Sequence, residues 1–115
     1  MVSFANQERV RLNSYDPIKK KVESMEQVTA RPMFGYQCFL IKRKFFVGFS
    51  SKNNQQIIVR LPKVQQEVAI KSNAIKPFSH GAKMGWIEID PKLTTIADAM
   101  KWILIGYDNA AKLAK

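Results

Sequence analysis

Residues 36–49 read Tyr36-Gln37-Cys38-Phe39-Leu40-Ile41-Lys42-Arg43-Lys44-Phe45-Phe46-Val47-Gly48-Phe49, and this stretch decides the fold class. Two aromatic and aliphatic runs flank three consecutive cations. Aromatic and β-branched side chains suit a pleated, half-buried surface, and two such runs joined by a short polar link form a hairpin signal. The pattern predicts strands over 36–41 and 45–49, with a basic tip at Lys42, Arg43 and Lys44. On an ideal second strand Phe45, Val47 and Phe49 share one face, which reads as core.

Downstream, Ser50 to Gln55 is a polar connection, and Gln56 to Leu61 is the next strand, ended by Pro62. Residues 63–71 read as a short helix with Val64, Val68 and Ala69 inward. Ala74 to Phe78 and Gly85 to Ile89 are two further strands, bridged by residues 79–84. Thr95 ahead of Ile96-Ala97-Asp98 is close to a capping box. From there Ile96, Met100, Ile103, Tyr107, Ala110 and Ala114 recur at helical spacing. Trp102 and Ile105 lie off that stripe, so they either widen the apolar face or pack a partner. Gly106, unfavourable inside a helix, marks close approach of another element.

Upstream, Asp16-Pro17 reads as an N-cap followed by proline at the first helical position, with Ile18, Val22 and Met25 on one face. Ala5 to Leu12 is a further helical piece, and residues 31–34 add one more short strand. Strands in succession imply antiparallel pairing. The expected fold is α+β, α-β(3)-α-β(2)-α, an antiparallel sheet of about five strands flanked by N- and C-terminal helices.

Composition narrows the function classes. The chain of 115 residues is the length of one domain, spanning 1–115. Cys38 is the single cysteine and His80 the single histidine, which excludes an internal disulfide and a multi-histidine metal site. No cofactor is expected. The longest apolar runs fall far short of the ~20 residues a membrane span needs. The N-terminus shows no apolar stretch of about 7–15 residues typical of a secretory leader. A cytoplasmic protein without membrane contact is expected.

The net charge is +10, from 19 basic and 9 acidic residues. It is unevenly spread: residues 27–87 carry ten basic side chains and one acid, whereas residues 88–115 cancel. In a meander, Arg60 and Lys63 return to the end of the sheet that holds Lys42, Arg43 and Lys44. These five are the candidate contacts for nucleic acid or an acidic partner. Phosphate contact of this kind is sequence-blind and salt-sensitive. The plainer reading is a solvated, charged surface.

Other candidates carry little chemistry. Cys38 sits mid-strand and reads as a small buried hydrophobe. His80 lies in a loop with neither an acid nor a base partner legible in sequence. The run Gly81 to Gly85 fits no P-loop, because no helix follows it. No catalytic residue is legible, and a non-enzymatic domain is expected.

Several stretches resemble one family in order along nearly the whole chain. Arg31-Pro32-Met33-Phe34-Gly35 is similar to the signature of the TfoX N-terminal domain, the Sxy-type competence regulators of bacteria. Phe46-Val47-Gly48 and Ile58-Val59-Arg60 resemble its next segments. Pro77-Phe78, Gly81 and Met84-Gly85-Trp86-Ile87-Glu88-Ile89-Asp90-Pro91 resemble its glycine–methionine–glycine–tryptophan strand, and Trp102 and Gly106 its final helix. Tyr36 replaces a second glycine, and the loop before Gly85 is one residue shorter. The resemblance implies a fold similar to secretion chaperones and a role as transcriptional co-regulator beside a DNA-bound activator. In that setting Arg31, Pro32, Met33, Phe34, Gly35, Gly85, Trp86 and Gly106 are structural. The expected function is regulatory docking onto a protein partner, with Trp102 and Ile105 as an interface, including that of a homodimer. The alternative is direct, non-specific nucleic-acid binding through the basic sheet edge.

Overall fold

A computed structural model describes residues 14–33, 35–50 and 55–113. Helix α1 (Asp16–Glu23) leads into strands β1 (Val28–Met33), β2 (Tyr36–Ile41), β3 (Lys44–Ser50) and β4 (Gln56–Arg60). Helix α2 (Lys63–Ala69) follows, then β5 (Ile75–Pro77), a 3-10 turn at Ala82–Met84, β6 (Trp86–Ile89) and helix α3 (Ile96–Leu113). The six strands form one sheet in the order β1-β2-β3-β4-β6-β5, and every neighbouring pair is antiparallel. The α+β class therefore stands, with a sixth strand: residues 28–33 make a full edge strand. The first helical piece expected, residues 5–12, lies outside the described residues.

One face of the sheet carries the core. Phe39, Val47, Phe49, Ile57, Val59, Ile87 and Ile89 are buried there against α1 and α3. Helix α1 contributes Ile18 and Val22. Its cap sits one residue earlier than expected, at Tyr15, and the Asp16 N–H bonds to the Ser14 hydroxyl at 3.2 Å. The Tyr15 ring packs on Phe49 with centroids 5.2 Å apart.

A β-bulge alters the expected faces of β3. Phe39 pairs with Val47 and Leu40 with Phe45, so Phe46 is the unpaired extra residue. A bulge re-aims one side chain. Here Phe46 turns onto the helix face, edge-on to Tyr107 at 5.5 Å, and Phe45 stays half-buried.

Helix α3 packs through its small residues. The centre of its buried face is Ala99, Trp102, Ile103, Gly106 and Ala110, with Ile96, Met100 and Tyr107 flanking. A Cβ on Gly106 would come within 2.8 Å of the Arg60 carbonyl oxygen and 2.9 Å of Val59. The bare backbone at Gly106 is what lets the helix lie on β4. The Thr95 hydroxyl accepts the Asp98 N–H at 3.2 Å, one half of the capping box.

Helix α2 buries Ala69 as expected but turns its two valines outward. Val64 and Val68 are 71% and 48% exposed, while Gln66 and Ala69 are buried. The Gln66 amide donates to the carbonyls of Ala82 (2.8 Å) and Trp86 (3.2 Å). The Gln66 side chain is itself buried, and a buried amide left without acceptors costs about 1–3 kcal/mol. These two bonds fix which side of the helix faces in, and they leave Val64 and Val68 outside.

The chain locks at Gly85. The Leu61 N–H donates to the Gly85 carbonyl at 3.0 Å. Gly85 has φ +96°, and a Cβ there would lie 1.9 Å from the Leu61 carbonyl oxygen. Both the left-handed backbone and the contact exclude any other residue. Gly85→Ala is expected to lower stability by at least ~3 kcal/mol in urea titrations. A loss below ~1 kcal/mol would show that this contact is not close.

Candidate binding face

The three helices leave the second face of the sheet uncovered among the described residues. Cross-strand register fixes what stands on it. One row runs Arg31, Cys38, Gly48, Ile58, Glu88, Lys76 across all six strands. Two residues along, Arg60 pairs with Trp86. Directly opposed residues project to the same side of a sheet.

A cavity of about 410 Å³ opens on this face. Cys38 and Ile58 lie at its base, 0% and 3% exposed, and the surface it offers comes from its walls, Met33, Tyr36, Phe78, His80 and Trp86. Gly48 lies between the two floor residues, and a Cβ there would come within 3.0 Å of both Cys38 Sγ and Ile58 Cγ1. Hydrogen at that position keeps the floor low.

The walls are rings in contact. Tyr36 and Phe78 meet edge-on at 5.7 Å, and Phe78 meets His80 at 5.5 Å. Strands β2 and β5 are four strand spacings apart, about 19 Å in a flat sheet. The Tyr36–Phe78 contact therefore needs the two flanks to lean over the floor. The Phe78 N–H bonds to the Trp86 carbonyl at 3.1 Å, which ties that wall to β6.

A polar chain borders the cavity. The Tyr36 hydroxyl donates to Gln56 Oε1 (2.9 Å), and Gln56 Nε2 donates to Glu88 Oε2 (2.8 Å). Lys76 Nζ lies 3.6 Å from the same carboxylate oxygen. Burial, then the Glu88 charge, then Cys38 raise the Tyr36 phenol above its usual value. Burial alone pushes the Cys38 thiol up to about 11.

The structure separates the five predicted cations. Lys42, Arg43 and Lys44 are exposed at the β2–β3 tip. Arg60 and Lys63 come to the same end of the sheet, but their side chains turn to the 81–85 loop. Arg60 Nε donates to the Met84 carbonyl (3.1 Å), and Lys63 Nζ to the Ala82 carbonyl (3.3 Å). Among the described residues the one ion pair is Lys76–Glu88.

The other motif residues are also placed. Arg31 and Pro32 are exposed on β1, where an edge strand tolerates proline. Met33 forms part of the cavity wall. Gly35 takes a left-handed φ of 81° in the β1–β2 turn. Phe34 lies outside the described residues. Trp102 belongs to the chain's own core at 8% exposure, with the Lys101 ammonium 4.7 Å from its ring centre. Ile105 packs partly against the same core. The large apolar side chains that α3 turns to solvent are instead Leu104 and Leu113.

No family model matches this chain, and no curated protein matches it. Among solved structures it is similar to Deinococcus radiodurans protein DR2400, a DUF419 domain. The TM-score is 0.67 at 10% identity, over 83% of this chain and 76% of that one. At that identity the likeness shows a shared fold. Among the described residues no helix is long and apolar enough to cross a membrane. Nor is any group of three His, Cys, Asp or Glu side chains placed to hold a metal ion.

With its pKa near 11 against a usual 9.0, Cys38 carries roughly a hundredfold less thiolate than a free cysteine at neutral pH. Alkylation at pH 8 is expected to follow global unfolding. An unfolded thiol ionises from about pH 9 upward while the folded one stays neutral. Its contribution to stability is thus intact below pH 9 and lost as pH rises through about 11. A native Cys38 that reacts as fast as free cysteine contradicts this burial.

Proposed function

We propose that the chain is a non-enzymatic docking domain of the TfoX N-terminal type, which binds a protein partner on its uncovered sheet face. The observation that carries this reading is the apolar, ring-walled cavity on that face. Its volume falls in the range of sites that take a ligand or an anchoring side chain. Peptide-binding grooves characteristically offer such pockets, with polar groups around them to fix register. Here the polar chain Tyr36–Gln56–Glu88 supplies that border. The ordered motif resemblance, Arg31 through Gly106, supports a regulatory rather than a transport or structural role.

The check is selection of a random peptide library of about twelve residues against the wild-type protein. Ile58→Trp, which fills the floor, serves as counter-target after circular dichroism confirms that it folds. Peptides retained by the wild type and lost on Ile58→Trp are the expected result. Equal retention by both, or no enrichment, overturns docking at the cavity.

A second reading, direct contact of nucleic acid at the hairpin tip, is favoured by one observation. Lys42 and Arg43 both have positive φ, 47° and 73°. A two-residue loop of this kind is best served by Asn-Gly. Two long cations held in left-handed backbone cost stability, about 1 kcal/mol or more each. Such strain at an exposed charge fits selection for contact rather than for folding. Replacing the pair with Lys42→Asn and Arg43→Gly is expected to stabilise the protein while weakening duplex DNA binding. Each lost phosphate contact lowers the salt slope by about 0.9. Unchanged duplex affinity removes this reading.

A further inference from the structure

We infer that the occupant of the open-face cavity is an acidic protein segment carrying one large apolar side chain, tryptophan, phenylalanine or leucine. This rests on the docking reading above and specifies its partner. The apolar half follows from the cavity itself. Ile58 and Cys38 form a floor without free polar groups, and Phe78 and Trp86 stand as walls. The polar groups of the lining are the Tyr36 hydroxyl, already bonded to Gln56, and the exposed His80 imidazole. A charged or amide side chain set against Cys38, Ile58 and Trp86 therefore finds no partner there, and its desolvation goes uncompensated. An apolar side chain loses nothing polar and gains burial.

The acidic half follows from the charges that bracket the cavity. Arg31 stands on the open face beside Cys38, and Arg60 beside Trp86, by register. Neither has an acidic partner among the described residues. Arg60 spends its Nε on the Met84 carbonyl and keeps the terminal guanidinium nitrogens. Of the acids on this face, Glu88 is already engaged by Lys76 and Gln56, and Asp90 lies just past the end of β6, where its Oδ1 accepts the Lys92 N–H. The surface around the apolar well is therefore uncompensated positive charge on two sides. A segment with Asp or Glu before and after its apolar anchor satisfies both. Arginine is also well suited to bidentate capture of carboxylates.

A single polyanion would satisfy the two arginines but leave the well empty. A neutral apolar peptide would fill the well but leave the arginines solvated. An acidic segment with an apolar anchor uses both features at once.

Three synthetic peptides of about a dozen residues test this, read by fluorescence anisotropy of an N-terminal label. The first has Glu-Ser repeats around a central tryptophan. The second replaces that tryptophan with alanine, and the third replaces each glutamate with lysine. The first is expected to bind saturably, with both others at least about tenfold weaker. On the protein side, Ile58→Trp should abolish the tryptophan advantage. Arg31→Glu should weaken the first peptide several-fold, by an amount that shrinks as salt is raised.

Equal binding of the first two peptides means that charge alone attracts them, which overturns the apolar anchor. Equal binding of the first and third overturns the acidic requirement, while cavity docking stands. If none of the three binds but library selection yields peptides lost on Ile58→Trp, this occupant is wrong and docking is right. If both experiments fail, the docking reading fails with it.

Discussion

The contact between Leu61 and Gly85 organises one half of the molecule. Here the chain leaving β4 passes the chain entering β6 at backbone distance, with a hydrogen bond at 3.0 Å and no room for a Cβ. The 3-10 turn before Gly85 then presents its carbonyls to α2 and to the end of β4. Gln66 and Lys63 share the Ala82 carbonyl, and Arg60 takes that of Met84. Trp86 follows directly and stands as a wall of the open-face cavity. One glycine thus couples the crossover from β4 through α2 to the geometry of the candidate site. It also explains why two of the expected phosphate-binding cations are tied to main-chain oxygens.

The second organising fact is that, among the described residues, helices cover the sheet on one face only. An antiparallel sheet can leave a face to water when that face is polar. Here the uncovered side is mixed: a polar chain at Gln56 and Glu88, cations at Arg31, Arg60 and Lys76, and an apolar well between them. The well exists because Gly48 contributes no side chain to the floor while rings from β2 and from the loop after β5 close over it. A side chain at position 48 has little room, because its Cβ would come within 3.0 Å of Cys38 Sγ and Ile58 Cγ1. The ring-lined well on this face is the structural basis for reading it as a docking site.

Much of the fold could be read from local pattern. The hairpin at 36–49, strand β4 and the capped C-terminal helix have strong periodicity or sharp boundaries, and their positions agree with the structure to within a residue or so. Three features escaped for identifiable reasons. The full extent of strand β1 is one, since only residues 31–34 read as a short strand: it lies on an edge, so Thr29 and Ala30 show no alternation, and Pro32 argues locally against a long strand. The orientation of α2 depends on Gln66 meeting Ala82 and Trp86, a partnership made only by tertiary structure. The bulge at Phe46 is likewise invisible until β2 and β3 are paired. The cavity was the least legible feature. Its residues come from β1, β2, β4, β6 and the 78–80 loop, and each alone reads as an ordinary half-buried position. The one hint was Gly48, a residue without a side chain in the middle of an otherwise aromatic strand.

The placement of an apolar anchor in this cavity is most directly tested by nuclear Overhauser contacts between the tryptophan-bearing acidic peptide and methyl-labelled protein. The binding face described here predicts contacts from the peptide indole to the Ile58 δ1 and Met33 ε methyls. The outward valines Val64 and Val68 on α2 should stay silent. Contacts to Val64 and Val68, with none to Ile58, would contradict it and move the interaction to the exposed side of that helix.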